Sequence, residues 1–253
     1  MQCRGCEPAC PSGVEFGALM EQTRTALAAD GRITPWWQRV GFAALDRPEL
    51  LRAGSAALAV AQRARLVPRR VGLPRLPLRA EPPLVSTGSD VWLFTGCVMD
   101  AWQRHTHRHA AALIDLVGAG YGVPAGGCCG ALHVHAGLRD DAVALAERTM
   151  ASMPGEAPIL VDAAGCGAAM QGYGELVGTD AARSFASRVR DVDEWLAERF
   201  AELDDRAPTP VGERPTVIVQ DPCHLRHVQG AHGAVRALLG HVAEVVELDD
   251  DGL

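Results

Sequence analysis

The stretch DVWLFTGC, residues 90–97, decides the fold class. Its short apolar run is typical of a buried strand, and the run leads directly into a cysteine. Two further stretches repeat this pattern: APILVDAAGC, residues 157–166, and TVIVQDPC, residues 216–223. Amphipathic helical patterns lie between these strands, over 101–119 and over 182–203, and three more helices are expected earlier in the chain, over 14–29, 34–45 and 48–66. The sequence therefore predicts an α/β fold with a cysteine after each of the three strands.

Two adjacent cysteines stand in the glycine-rich stretch AGGCCGALHVHAG, residues 125–137. Glycine lets the backbone turn tightly and approach a bulky inorganic core, and thiolates are the soft ligands that iron–sulfur clusters and zinc prefer. We therefore predict that Cys97, Cys128, Cys129 and Cys166 form one cluster-binding site, with sulfurs within about 7 Å of one another. The alternative is that the separate cysteines are small buried apolar residues.

A second cysteine motif opens the chain, where Cys3, Cys6 and Cys10-Pro11 follow the spacing C-x2-C-x3-C-P. This spacing matches the last three cysteines of the bacterial ferredoxin run, and the missing first cysteine belongs just before Met1. Zinc is less favoured, because zinc motifs commonly pair two C-x2-C knuckles. In two-cluster ferredoxins the fourth cysteine of such a run ligates the other cluster. We therefore expect Cys3, Cys6 and Cys10 to be ligands of two ferredoxin-type clusters, neither of which has all its ligands in this sequence.

The spacing around Cys97 is repeated around Cys223. Thirty residues separate Cys97 from Cys128, and thirty follow Cys223 up to Leu253. Both segments have a strand, a cysteine, a polar turn with histidine, an alanine-rich helix and a short strand, so we predict an internal duplication. Cys223 is then a ligand at its own incomplete site, and we expect the sequence to be cut at both ends beside missing cysteines.

The composition narrows the function classes. The net charge is -7 and there is no basic stripe, so a nucleic-acid partner is not expected. No apolar run reaches the roughly 18 residues of a membrane span, and the start of the chain does not have the pattern of a signal peptide. We predict a cytoplasmic protein. Partner proteins could attach it to the inner face of the membrane.

Histidines and acidic residues near these motifs have less specific interpretations. His133, His135 and His224 follow cysteines closely enough to hydrogen-bond cluster sulfur, although capping or other polar contacts explain them equally well. We interpret three clustered histidines as a solvated helix start: His105, His107 and His109. Asp191, Asp193 and Glu194 are predicted to cap a helix.

Four motifs resemble those of the cysteine-rich CCG-domain proteins, most closely the family of glycolate oxidase iron–sulfur subunits. They are GCCGALHVHAG, DAAGCGAAMQGYGELV, RVRDVDEWLAE and QDPCHLRHVQG. In addition, CRGCEPACPSGVEFGALME is similar to the second ferredoxin motif of that family. The resemblance implies an order of domains: a partial helical 4Fe-4S ferredoxin domain (1–66), a Pro-rich linker (67–89), a first CCG domain (90–204), a linker (205–215) and the start of a second CCG domain (216–253).

The resemblance also implies a function. A partner subunit with a flavin (FAD) would oxidise a 2-hydroxy acid such as glycolate or lactate. This chain would then carry the electrons through 4Fe-4S clusters to a quinone-type acceptor. No catalytic residue is expected on the chain itself. The sequence departs from the pattern of related CCG domains at Ala163, where those domains have the first cysteine of a final C-x-x-C. A centre with five thiolate ligands is therefore not expected here. The alternatives are a thiol/disulfide enzyme similar to heterodisulfide reductase and a zinc-stabilised scaffold.

Overall fold

The computed structural model describes residues 2–79, 81–203 and 212–247. Three helices come first: α1 (Phe16–Ala29), α2 (Trp36–Leu45) and α3 (Pro48–Arg63). They lie within the three helical segments expected from the sequence, and α3 begins with a proline, which lacks the N–H that a first-turn residue leaves unpaired. An irregular segment with a single 3-10 turn, Arg69–Val71, then leads to the first strand.

The middle of the chain is a four-stranded parallel sheet covered by helices, so the predicted α/β class is confirmed. Its strands are β1 (Val91–Phe94), β2 (Tyr121–Gly122), β3 (Ile159–Val161) and β4 (Val189–Asp191), in the spatial order β2-β1-β3-β4. The helices are α4 (Val98–Trp102), α5 (Arg104–Leu116), α6 (Ala131–His135), α7 (Arg139–Ser152), α8 (Ala164–Gln171), α9 (Tyr173–Val177), α10 (Asp180–Ser187) and α11 (Val192–Leu203).

Each face of this sheet packs against its own set of helices. On one face Leu93 and Leu160 pack with apolar residues of α5 and α11, including Ile114 and Trp195. On the other face Ile159 and its neighbours pack with residues of α8, α9 and α10. Because alternate residues of a strand point to opposite faces, these short strands are buried on both sides, as in other doubly covered parallel sheets.

A second, two-stranded parallel sheet follows. It consists of β5 (Thr216–Ile218) and β6 (Glu244–Val246), joined by a π-helical turn (Leu225–Gln229) and α12 (His232–Leu239). Its order of strand, cysteine, helix and strand resembles the segment from β1 to β2. The internal duplication and the proposed domain boundaries stay predictions, and residues 205–211 of the expected second linker lie outside the described residues.

Two helix predictions need correction. The segment 182–203 is not one amphipathic helix, because Val189–Asp191 forms β4 between α10 and α11. Pairing with β3, which is distant in sequence, outweighs the helical periodicity there. The expected helix over 101–119 is divided at Gln103, where α4 ends and α5 begins. The Arg104 guanidinium holds this junction through two hydrogen bonds of 2.8 and 2.7 Å to the Asp100 carboxylate.

The N-terminal helices dock onto the parallel-sheet region at the end of α6. Arg24 of α1 donates a 2.7 Å hydrogen bond to the carbonyl of His135, and the Thr34 hydroxyl donates a 2.6 Å bond to the carbonyl of Ala136. At Gly137 the two backbones come so close that a Cβ there would lie 2.6 Å from the carbonyl carbon of Arg24. Among the described helices, none is both long and apolar enough to cross a membrane.

Candidate metal centre

Four cysteines converge at the carboxyl edge of the parallel sheet. Cys97 follows β1 by three residues, Cys128 and Cys129 lie in the loop after β2, and Cys166 lies in the first turn of α8 just beyond β3. Parallel strands end at the same edge of a sheet, where ligands of α/β proteins bind. The chain therefore brings together side chains that are up to 69 residues apart in sequence.

The four thiols are in sequential contact. The sulfurs of Cys129 and Cys166 are 3.1 Å apart. Cys97 interacts through its side chain with Cys128, which in turn interacts with Cys129. Cys128 and Cys129 are buried, whereas Cys97 and Cys166 are partly exposed. The geometry thus unites the four residues predicted for one site.

Two glycines make room for the cysteine pair. Gly127 has a φ of 154° and Gly130 a φ of 79°, values that side-chain-bearing residues rarely adopt. A Cβ on Gly130 would also lie 3.3 Å from the carbonyl oxygen of Ala142 in α7. The glycines therefore let the loop turn sharply into α6 while it lies against α7.

Buried hydroxyl groups fix the backbone of the pair. The Tyr173 hydroxyl donates a 2.9 Å hydrogen bond to the carbonyl of Cys129, and the Thr149 hydroxyl donates a 3.3 Å bond to the carbonyl of Cys128. Tyr173 has no solvent exposure and stacks on Phe185. The core of the domain thus supports the loop that carries both thiols.

The surroundings of the thiols favour their neutral form. The contact with Cys128 and then burial raise the pKa of Cys97, and the contact with Cys129 raises the pKa of Cys128 to about 12. For Cys129 the contact with Cys128 lowers the pKa, but the contact with Cys166 and burial outweigh it and hold the pKa well above its usual value. No positively charged side chain is among the causes of these shifts.

The four thiols are chemically suited to bind an iron–sulfur cluster. Buried thiols without a cationic side chain need a metal to become thiolates, and binding then releases their protons. Within the described ranges, no group of three or more His, Cys, Asp or Glu side chains is arranged around a single metal ion. The thiols instead pack directly on one another.

The N-terminal cysteines lie in a series of tight turns before α1. Cys3 and Cys6 are exposed and Cys10 is partly exposed. Backbone N–H groups of Val14 and Ser12 hold the pKa of Cys10 below its usual value, because they hydrogen-bond its sulfur. Such N–H groups stabilise a thiolate, which is the form that ligates iron.

Cys223 is exposed in the loop after β5. The histidines predicted beside cluster sulfur make other contacts: the His133 ring packs on Phe42 at 5.5 Å, and the His135 ring lies 5.9 Å from that of His224. Neither ring of His133 or His135 is hydrogen-bonded to a cysteine in the described part of the chain.

One histidine prediction is wrong. His107 is not part of a solvated helix start, because its side chain is completely buried and its Nδ1 lies 2.5 Å from Oδ2 of Asp162. His105 and His109, on the other side of α5, are exposed as expected. Asp162 directly follows β3, at the carboxyl edge of the sheet. Of the three acidic residues predicted to cap a helix, Asp191 does so, because its Oδ1 accepts a 2.9 Å hydrogen bond from the N–H of Asp193. The Glu194 carboxylate instead pairs with Arg190 at 3.2 Å.

Sequence reasoning also missed a cavity beside the thiols. It is partly open to solvent and has a volume of about 590 Å³ between α1 on one side and α6, α8 and α9 on the other. Ala131 and Gly165, which line it, are two residues and one residue from Cys129 and Cys166. A much smaller cavity of about 30 Å³ lies beside Cys97, against α3.

The parallel sheet and its four converging cysteines define the class of this domain. Residues 91–171 match the family model of the cysteine-rich domain, CCG, and this match includes Cys97, Cys128, Cys129 and Cys166. This part of the chain is therefore similar to a cysteine-rich CCG domain, and the resemblance stated from its motifs is confirmed.

Two curated proteins are similar to the chain over nearly its whole length. The probable glycolate oxidase iron-sulfur subunit of Bacillus subtilis (strain 168) is 29% identical over 296 residues, covering 98% of this chain and 64% of the relative. The glycolate oxidase iron-sulfur subunit of Escherichia coli (strain K12) is 28% identical over 254 residues, covering 94% and 61%. The chain thus spans less than two thirds of the length of either relative. No solved structure matches it significantly.

Proposed function

We propose that this chain is part of an iron–sulfur electron-transfer subunit that serves a flavin-linked oxidase of glycolate or a related 2-hydroxy acid. In this proposal the FAD is on a partner subunit, and the electrons pass to an acceptor such as a quinone. The convergence of four thiols from three loops at one sheet edge is the observation that carries the proposal. The names of the two curated relatives support it.

Each part of the chain has a role in this proposal. Cys97, Cys128, Cys129 and Cys166 would hold a 4Fe-4S cluster, which when bound supplies a one-electron redox centre. Tyr173 and the glycines around the pair position the thiols. The chain needs no substrate base, because hydride chemistry belongs to the flavin of the partner.

The remaining cysteines belong to further sites in the same proposal. Cys3, Cys6 and Cys10 would be ligands of ferredoxin-type clusters, and Cys223 a ligand of a second cysteine-rich domain. The backbone N–H groups around the Cys10 sulfur support the first assignment. The position of Cys223 after β5, like that of Cys97 after β1, supports the second.

A second candidate function is a thiol/disulfide enzyme, and the cavity beside Cys166 favours it. At about 590 Å³ the cavity is of the size that holds small-molecule substrates. A substrate disulfide bound there would lie beside the helix that carries Cys166.

Reconstitution with ferrous iron and sulfide under oxygen-free conditions tests the proposed function. We expect Cys129→Ser to lose most of the iron and acid-labile sulfide of the four-thiol site, because a hydroxyl is a much poorer ligand for iron than a thiolate. Cys223→Ser is the matched control and keeps that iron. Equal iron contents in the wild type and Cys129→Ser would contradict the assignment of this site.

A further inference from the structure

The segment between α3 and the parallel sheet begins with an arginine-rich loop, residues 63–79. It is made only of arginine, apolar residues, proline and glycine, and six of its 17 residues are arginine. It has no acidic and no neutral polar residue. The net charge of the whole chain, -7, conceals this loop, so the expectation of no basic stripe is wrong here. A connection in water needs neither the excess of one charge nor the leucines, and both require an explanation.

The arginine-rich loop is held against the end of α3. Gln62 Nε2 donates a 2.8 Å hydrogen bond to the carbonyl of Pro74, and Gln62 Oε1 accepts a 2.9 Å bond from the N–H of Leu76. Arg63 donates a 3.0 Å bond to the carbonyl of Leu76. The chain between these points is therefore a closed loop and not an extended connection.

The apolar side chains of this loop face solvent. Leu66 is 76% exposed, Val71 is 54% exposed, and Leu78, just beyond the closed part, is 54% exposed. Among the residues of 64–79 whose exposure the structure describes, Leu76 alone is buried. Large apolar side chains exposed close together commonly mark a surface that contacts a partner or a membrane.

The positive charges of the loop are not neutralised within the described part of the chain. Glu81, the first acidic residue after the loop, pairs with Arg108 instead. Four arginines of the loop are exposed and make no ion pair or side-chain hydrogen bond with a described residue: Arg65, Arg70, Arg75 and Arg79. Their charge is therefore available to an anionic partner.

We propose that the arginine-rich loop binds the surface of an anionic lipid bilayer. The arginines contact the phosphates of the head groups, while side chains such as Leu66 and Val71 enter the boundary between head groups and acyl chains. This partner satisfies both features of the loop in one contact. The inference goes beyond the proposed function and does not depend on a bound cluster.

A nucleic acid fits the loop less well than a bilayer does. Its phosphates would pair with the arginines, but the loop has no aromatic side chain on which bases could stack. The exposed leucines and valine would then remain in water. The bilayer is therefore the partner that the combination of charge and apolar exposure favours.

Co-sedimentation of the full chain with lipid vesicles tests the proposal. We expect saturable binding to vesicles of equal parts phosphatidylcholine and phosphatidylglycerol, and little binding to phosphatidylcholine alone. Binding should weaken as salt is added, because salt screens the attraction between the arginines and the lipid surface. Inorganic phosphate at the same phosphate concentration should not displace the chain, since the ligand is the lipid surface and not the free ion.

A pair of double variants locates the charges that bind. Arg70→Gln with Arg75→Gln removes two exposed charges of the loop and should lower the partition coefficient about thirtyfold. Arg32→Gln with Arg47→Gln is the matched control, because both arginines are exposed and it removes the same net charge elsewhere. The control should bind as the wild type does. Equal partition coefficients for the two double variants would overturn the proposal.

A second variant removes an apolar contact instead of charge. Leu66→Ser should bind the anionic vesicles about tenfold more weakly, whereas Leu116→Ser, at a position of α5 that is 49% exposed, should bind as the wild type does. Circular dichroism checks that all variants are folded. A wild-type chain that binds neither kind of vesicle, or that binds a DNA duplex as tightly as the anionic vesicles, would overturn the proposal. Iron uptake has no part in this test, so its result leaves the proposed function unchanged.

Discussion

At the scale of single residues, Tyr173 holds the cysteine pair in place. Its buried hydroxyl donates to the carbonyl of Cys129, and its ring stacks on Phe185 in the core. Thr149 makes the corresponding bond to Cys128 from α7. A loop with three glycines around two thiols is flexible by composition, so these two side chains keep the thiols close together.

Replacing Tyr173 with phenylalanine tests this role. Tyr173→Phe leaves the Cys129 carbonyl without its donor, so we expect the free energy of unfolding in urea to fall by about 1–2 kcal/mol. The buried thiols should also react faster with a thiol reagent, since the loop opens more often. Tyr121→Phe, the other tyrosine of the chain, should change the stability by less than about 0.5 kcal/mol. A Tyr173→Phe protein as stable as Tyr121→Phe would contradict this account.

The site residues differ in how far the sequence could predict them. The cysteines were predictable, because each follows a strand or lies between glycines, and short-range signals of that kind are visible in one sequence. The pair formed by His107 and Asp162 was not, because its two members are 55 residues apart and meet only when α5 packs on the sheet.

At the scale of elements, the contact between α1 and the end of α6 joins the helical N-terminal region to the cysteine-rich domain. Arg24 and Thr34 make its hydrogen bonds, and Gly137 allows the close approach of the two backbones. The large cavity lies beside this contact. The docking of α1 therefore shapes one wall of the cavity.

A matched pair of glycine substitutions tests the docking of α1. Gly137 and Gly118 have φ values of 76° and 80°, so alanine costs about 1–2 kcal/mol at either position from backbone strain. A Cβ at Gly118 meets nothing within 4 Å among the described residues, whereas one at Gly137 meets the backbone of Arg24. We expect Gly137→Ala to be less stable than Gly118→Ala by roughly 1–3 kcal/mol, measured by urea unfolding. Equal losses would show that α1 does not pack there.

Element predictions succeeded where the local pattern was long and failed where a short strand interrupted it. The helices α1, α2 and α3 agree with their apolar periodicity and with a proline at the start of α3. β4 was missed, because three residues carry little periodic signal and its pairing partner β3 lies 30 residues earlier. Tertiary pairing decided its conformation, and a single sequence does not display that pairing.

At the scale of the whole molecule, the chain places one buried group of thiols between a parallel sheet and a helical region with its own cysteines. The cavity lies at the junction of these two parts and is lined by residues of both, including Arg4 and Gly165. His227 also lies against Gly5, so the segment after Cys223 contacts the N-terminal cysteine motif. This arrangement is compatible with the function proposed for the chain.

The central claim is that the buried thiols hold an iron–sulfur cluster, and analysis of the oxygen-free purified chain tests it most directly. The account predicts iron and acid-labile sulfide in about equal amounts, as in a 4Fe-4S cluster, with an EPR signal that changes on reduction. Zinc without sulfide, or a colourless protein with no bound metal, would contradict it.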